Sequence, residues 1–164
     1  LVLIVGVTGD THNNLKNIKK ICSIFNENSA DLVFHTGDIS LPKSLLTFRK
    51  LNCPLITVLG NNDIGEEDGL KEAAKKFDCK IYDEPFFTEI ENKKISLLHH
   101  PDLIDDAMIS NNDLILHGHT HRFRLERINN CIIFNPGECA GFMKNKNQIG
   151  LVDFSFIEPE IINF

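Results

Sequence analysis

Histidine occurs at positions 12, 35, 99, 100, 117, 119 and 121, and each one lies at or beside the end of a short apolar run. The same run ends carry acids and amides: Gly9-Asp10-Thr11-His12, Gly37-Asp38, Gly60-Asn61-Asn62-Asp63, His99-His100 and His117-Gly118-His119-Thr120-His121. Carboxylate, imidazole and amide oxygen are ligands that suit Mn²⁺, Fe or Zn²⁺, and the lack of thiolate argues against a purely structural zinc. His119 and His121 alternate, so in an extended segment they point to one side and can share an ion. Singly, each fragment has an ordinary reading, since aspartate at a strand end is most often a turn or cap residue. Five such ends in one chain do not reduce to coincidence. Seven such ligands exceed what one tetrahedral ion takes. Two ions sharing a bridging carboxylate would use them all, and such pairs, ~3.5–4 Å apart, clamp an in-line displacement. His35 and His117 read as packed residues beside the ligands, Asp63 as a turn or supporting residue, and Glu138 and Cys139 as lining of the cleft.

The elements that must position these residues follow from apolar patterning. Continuous runs at residues 1–7, 31–35 and 55–59 are expected as strands buried on both faces. Between and after them, helices are expected over 15–25 (stripe Leu15, Ile18, Ile21, Cys22, Phe25, capped by Asn13 or Asn14), from Pro42, and over 70–77. This βαβαβα order implies a parallel sheet, whose strand carboxyl ends are where ligands bind. The second half is expected to be richer in strands: 86–90 and 95–98 as a hairpin, 114–116, a hairpin of 122–128 and 131–134 around Asn129-Asn130, and closing strands 149–154 and 156–162. Residues 101–109 are expected as a helix. The simplest architecture is two packed sheets with helices outside, as one domain over residues 1–164.

A 42% hydrophobic content can fill a core, and no apolar run is long enough to span a bilayer. The opening apolar run lacks a basic segment before it and a small-residue cleavage site after it, so it reads as a strand and not as a signal peptide. The chain does not begin with Met, which reads as a trimmed or partial N-terminus. The net charge of −6 shows no basic surface for gripping nucleic acid. An acidic protein can still act on an anionic substrate where metal ions supply the positive charge. Five cysteines without a Cys-x-x-Cys fit free thiols in a reducing compartment, so a cytoplasmic location is expected.

In order along the chain, Asp10-x-His12, Gly37-Asp38, Gly60-Asn61-x-Asp63, His99 and Gly118-His119-x-His121 resemble the motifs of the calcineurin-like metallophosphoesterases. The short chain, with Asn135-Pro136-Gly137 after the last hairpin, is most similar to the small microbial YfcE-like phosphodiesterase branch. The resemblance implies an α/β fold, a two-sheet β-sandwich flanked by helices. It implies that Asp10, His12 and His121 hold one divalent ion and Asn61, His99 and His119 the other, with Asp38 bridging and a hydroxide between the ions as nucleophile. Mn²⁺ is expected first, with Ni, Fe or Zn as alternatives, and the substrate is expected to be a small phosphate ester.

Two positions depart from the family pattern. Asn62 stands where many members carry a histidine that protonates the leaving group, and His100-Pro101 follows His99 where Gly-His is common. Diesters are therefore expected over monoesters, with His100 or a metal-bound water left to supply the proton. A retromer subunit of this fold works as an interaction scaffold with parts of its metal site altered. The complete ligand set here, with Asp38, Asn61 and His100 as catalytic candidates, favours an enzyme. Exposed apolar residues in the C-terminal strands leave a partner or a homo-oligomer open. A metallohydrolase of amides or lactones would carry an early His-x-His or a dense His-x-His-x-Asp-His run, which this chain lacks.

Overall fold

Apolar runs too short for helices become strands wherever both of their faces can be covered. The computed structural model describes residues 2–164; of the expected first strand, Leu1 lies outside the described residues. The chain runs β1 (Ile4–Thr8), α1 (Leu15–Glu27), β2 (Leu32–His35), α2 (Pro42–Thr47), β3 (Leu55–Val58), α3 (Glu67–Ala74), β4 (Cys79–Tyr82), β5 (Phe86–Ile90) and β6 (Lys93–Leu97). It continues with α4 (Asp106–Asn111), β7 (Leu114–Leu116), β8 (Arg124–Ile128), β9 (Cys131–Asn135), β10 (Gln148–Asp153) and β11 (Glu158–Asn163).

These strands form two mixed sheets. One has six strands in the order β11-β10-β1-β2-β3-β4, with β1 to β4 parallel, β10 antiparallel to β1, and β11 antiparallel to β10. The other has the order β5-β6-β7-β9-β8, with β6, β7 and β9 parallel and both edges antiparallel. Val5, Val7, Phe34 and Val58 of the first sheet meet Ile95, Leu97, Leu116 and Phe134 of the second in an apolar layer between them. The outer face of the six-stranded sheet packs under Ile18, Ile21, Phe25, Leu45 and Leu70 of α1, α2 and α3. Met108 of α4 packs with Leu98, Ile115 and Ile133 on the outer face of the second sheet. Gly6 is what lets α1 approach β1, since a Cβ there would lie 2.7 Å from the Phe25 ring.

Local chemistry sets the boundaries. Asn14 caps α1 by accepting the Asn17 N–H at 3.0 Å. The β5–β6 turn is the two residues Glu91 and Asn92, both at positive φ, so β6 begins at Lys93, two residues earlier than expected. Asn129, at φ 53°, makes the β8–β9 turn, and β8 starts at Arg124. Residues 101–109 are not one helix: a 3₁₀ turn at Pro101–Leu103 precedes α4, which starts where the Asp105 carboxylate accepts the Met108 N–H at 2.7 Å. β4 was not foreseen. It is a half-exposed edge strand carrying Lys80, held by parallel pairing with β3 and not by an apolar run of its own. No helix among the described residues is long and apolar enough to cross a membrane.

Phe34 is fully buried between the sheets. Phe34→Ala should cost about 3–5 kcal/mol of unfolding free energy, read as a lower urea midpoint at unchanged m-value; a loss under about 1 kcal/mol would mean that this layer is not the core.

Candidate metal centre

The loops that leave β1, β2, β3, β6 and β7 meet at one end of the sandwich. Two backbone bonds lace the first two together: Asp10 N–H donates to Gly37 O and His12 N–H to Asp38 O, both at 2.9 Å. The third is tied in by Asp63, whose buried carboxylate accepts the N–H groups of Asp38 and Gly60 on one oxygen and of Ile39 and Ser40 on the other, at 2.6–2.9 Å. Four donors and no competing acceptor are an arrangement for the ionised form, although burial pushes the Asp63 pKa upward against the Gly60 and Ser40 N–H groups. Gly118 N–H donates to His99 O and joins the loops after β6 and β7.

The backbone at this end is strained. Asp10, His12, Asp38, His119 and His121 all have positive φ, between 45° and 72°. Such a conformation costs a non-glycine residue of order 1–3 kcal/mol and persists only where surrounding structure over-determines it, typically at functional sites. Five of the seven candidate ligands sit there, so the loops are shaped for what these side chains reach.

All seven candidate ligands come together. His12 Nε2 lies 3.4 Å from His121 Nε2. His99 Nε2 lies 2.9 Å from Asn61 Oδ1 and 3.2 Å from His119 Nδ1, and His119 Nδ1 is 3.1 Å from Asn61 Oδ1. Asp38 Oδ2 stands between the two sets, 3.4 Å from His99 Nε2 and 3.8 Å from His12 Nε2. Asp10, His12 and His121 offer ligand atoms within 4.8 Å of one another, as do Asp10, Asp38 and His99, and His99, His100 and His119.

The far sides of three of the four rings are held. His99 Nδ1 faces Thr36 O at 2.9 Å, His121 Nδ1 faces Glu138 Oε2 at 2.9 Å, and His12 Nδ1 faces Ser40 Oγ at 3.3 Å. Asn62 donates through its N–H and its amide to the two oxygens of Asp38, both at 2.8 Å. Partners of this kind fix the ring orientation and aim the other nitrogen inward.

Electrostatics favour a cation. Burial pushes the Asp10 carboxyl up to about 7; His121 opposes this and the Asp38 charge adds to it. Burial also works against charge on Asp38, but the Asn62 hydrogen bonds and His99 outweigh it and hold its pKa below the usual range. Burial lowers the pKa of His12 and of His99, which keeps both rings in the neutral form that binds metal. Among the described residues, the only basic groups in ion-pair range of Asp10 and Asp38 are these imidazoles. A tetrahedral ion with ~2.0–2.1 Å bonds to nitrogen or oxygen sets its ligand atoms about 3.3–3.4 Å apart. The facing nitrogens have that spacing, so the residues present fit a divalent metal.

His100 stands at the mouth, 31% exposed in its side chain, with Nδ1 on Glu84 Oε1 and its ring centroid 4.7 Å from that of His119. Glu84 also accepts the N–H groups of His99 and His100 on its other oxygen. Sequence reasoning missed Glu84, because its partners lie 15 and 16 residues away. His35 and His117 are buried and packed, as expected. His35 Nδ1 accepts the Gly37 N–H at 3.1 Å, so its Nε2–H donates to Thr11 Oγ1 at 2.9 Å.

Comparison with known proteins gives one picture. Residues 3–155 match the calcineurin-like phosphoesterase superfamily domain. The phosphodiesterase MJ0936 of Methanocaldococcus jannaschii is 35% identical over 153 residues, 91% of this chain and 92% of that protein. A solved archaeal phosphodiesterase superposes with a TM-score of 0.90 at 33% identity, covering 99% of this chain and 100% of the other. Two more distant structures share the fold: the E. coli phosphoesterase YfcE, with a TM-score of 0.70 at 16% identity over 98% of each chain, and an Entamoeba histolytica Vps29 variant, with 0.64 at 18% over 99% of each.

Burial lowers the His35 pKa from 6.5 to about 3; the Asp38 charge opposes this and His99 and His12 add to it. Below pH 6.5 the unfolded chain therefore takes a proton that the folded chain refuses, and stability falls from there down towards pH 3. In chelator-treated protein the unfolding free energy should drop on acidification from pH 6.5 to 4, and His35→Gln should flatten that slope. Equal slopes in the two proteins would show that His35 is not the group responsible.

Proposed function

The chain belongs to the calcineurin-like phosphoesterase superfamily and is a phosphoric ester hydrolase; within that class we propose that it is a phosphodiesterase working with two divalent metal ions. Asp10, His12 and His121 would hold one ion, Asn61, His99 and His119 the other, and Asp38 would touch both. The observation that carries this reading is the convergence of these seven side chains, five of them from strained backbone, at the spacing of shared ligands. Bound there, the ions supply an activated water at neutral pH and positive charge against the phosphoryl oxygens.

The rest of the reaction falls to the chain's own groups. Asn62 pins both oxygens of Asp38 and so fixes the carboxylate between the two sets. Glu138 and Thr36 O orient His121 and His99. Asn62 cannot protonate a leaving group, but His100 has Nδ1 occupied by Glu84, which leaves Nε2 to hold a proton for the departing oxygen. The substrate is a small phosphate ester, with Mn²⁺ the first metal to supply.

The deciding experiment strips the protein with chelator, then assays bis-p-nitrophenyl phosphate and p-nitrophenyl phosphate with and without Mn²⁺. Hydrolysis should return with metal, favour the diester, and fall by at least about a hundredfold in Asp38→Ala and His121→Ala, the scale of a lost ligand or its support. Folded protein that hydrolyses neither ester with any divalent metal would sink the enzyme reading in favour of a scaffold, and full activity in Asp38→Ala would sink the shared position of Asp38.

The role of His100 is tested by leaving group. His100→Gln should slow diesters with alkoxide leaving groups about 10²–10⁴-fold, the range of general acid catalysis, and slow p-nitrophenyl diesters much less. Equal losses on both would remove His100 as the proton source.

A further inference from the structure

Phe142 is a large aromatic side chain that the structure leaves 69% exposed, and it stands on the candidate ligands themselves. Its ring centroid lies 5.1 Å from that of His12 and 5.4 Å from that of His121, and it is within 20° of parallel to the latter. The loop that carries it is held at both ends by α1. Asn14 Nδ2 donates to Ala140 O at 2.8 Å, and Asn17 Nδ2 donates to Cys139 O at 2.9 Å and to Asn147 Oδ1 at 3.1 Å. Gly141 has φ 82°, and a Cβ there would lie 2.7 Å from Asn14 Nδ2, so the approach of the loop to α1 depends on glycine. The ring is therefore presented by an anchored support.

Beside Phe142, a groove of about 750 Å³ opens directly off His12. Leu15, Leu41 and Ala140 give it apolar wall; Asn13, Asn62 and Glu66 give it hydrogen-bonding groups; no lysine or arginine lines it. Asn13 spends its amide oxygen on Ser44, and Asn62 spends its amide nitrogen on Asp38, which leaves the Asn13 nitrogen and the Asn62 oxygen for a ligand. An extended anionic group such as a polyphosphate finds no counter-charge in this groove. A flat, neutral ring finds an aromatic face to stack on and amides at its edge.

We propose that Phe142 and this groove are the specificity subsite for the retained group of a phosphodiester, and that this group carries a planar aromatic ring, either a nucleobase or a simple aryl group. This rests on the phosphodiesterase reading above and deepens it.

The test holds the leaving group constant. Thymidine 5′-p-nitrophenyl phosphate, phenyl p-nitrophenyl phosphate and methyl p-nitrophenyl phosphate release the same p-nitrophenolate, so ratios of kcat/KM report the retained group alone. The Mn²⁺-loaded protein should prefer at least one aromatic diester over the methyl diester about fivefold to a hundredfold, the range that base–aromatic stacking supplies. Phe142→Ala should bring that ratio towards one, and Gly141→Ala should do the same by displacing the loop. Phe87→Ala, which removes an exposed ring from β5, should leave the ratio unchanged. Preference for the thymidyl ester alone identifies a base; equal preference for both identifies an unselective aromatic platform. A second readout needs no turnover: calorimetric titration of thymidine 5′-monophosphate against ribose 5-phosphate, and of phenyl phosphate against methyl phosphate, into the metal-loaded protein. An aromatic preference there that Phe142→Ala abolishes supports the subsite even if no ester is hydrolysed, in which case only the enzyme reading fails. Ratios and affinities that do not move in Phe142→Ala overturn the subsite.

Discussion

One buried carboxylate, that of Asp63, spans the loops after β2 and β3 by accepting four backbone N–H groups. Those loops deliver Asp38, which stands between the two ligand sets, and Asn61, which belongs to one of them. Helices and sheets satisfy their own backbone groups, whereas tight loops at a strand end do not, and an unpaired buried N–H is costly. Asp63 discharges four of them at once. It also explains how Asp38 can be held at φ 61°, since its own N–H and those of the two residues after it are fixed on the carboxylate. The lacing of the first two loops, through Asp10 N–H and His12 N–H, extends the same restraint to two more candidate ligands.

Rigidity answers an electrostatic problem. The centre concentrates Asp10, Asp38 and, one layer out, Glu138, and no lysine or arginine among the described residues pairs with them. Burying carboxylates without compensation is unfavourable, and the rise of the Asp10 carboxyl to about 7 expresses that. Neutral imidazoles cannot supply the missing charge, but a divalent cation can. A cluster that repels itself in isolation would spread if its loops could move. The loop lacing and the Asp63 network hold it in place, and this is the sense in which the strained backbone is useful.

The legible part of this design was the part written in short contiguous motifs. A buried strand must end, and Asp10, Asp38, Asn61 and His119 each follow a glycine at such an end, while His12 and His121 lie two residues further on from Asp10 and His119 and His99 ends a run of its own; the seven candidates were therefore nameable from the sequence, and the structure brings them together. Helix α1 was legible because its stripe and its Asn14 cap are local. What could not be read depends on distance along the chain. Glu84 meets His99 and His100 across 15 and 16 residues, and its own neighbourhood, Asp83-Glu84-Pro85, looks like any polar turn. β4 owes its existence to the edge that β3 offers, so its four residues carry no apolar run to detect. Helix α4 was expected too early because Pro101 is a good first residue for a 3₁₀ turn as well as for a helix.

The two kinds of residue around the cleft answer to different constraints. The candidate ligands leave the ends of central strands, and their backbone is clamped on several sides, so any change there disturbs Asp63, the loop lacing and the neighbouring ligands together. Phe142 is carried on a peripheral loop whose ties to α1 run through the side chains of Asn14 and Asn17, outside the Asp63 network. A substitution at Phe142 therefore removes a ring packed on His12 and His121 but leaves the Asp63 network and the loop lacing in place. The same loop also carries Glu138, which faces His121 Nδ1, so its buried start supports the ligand set while its exposed tip at Phe142 forms part of the rim.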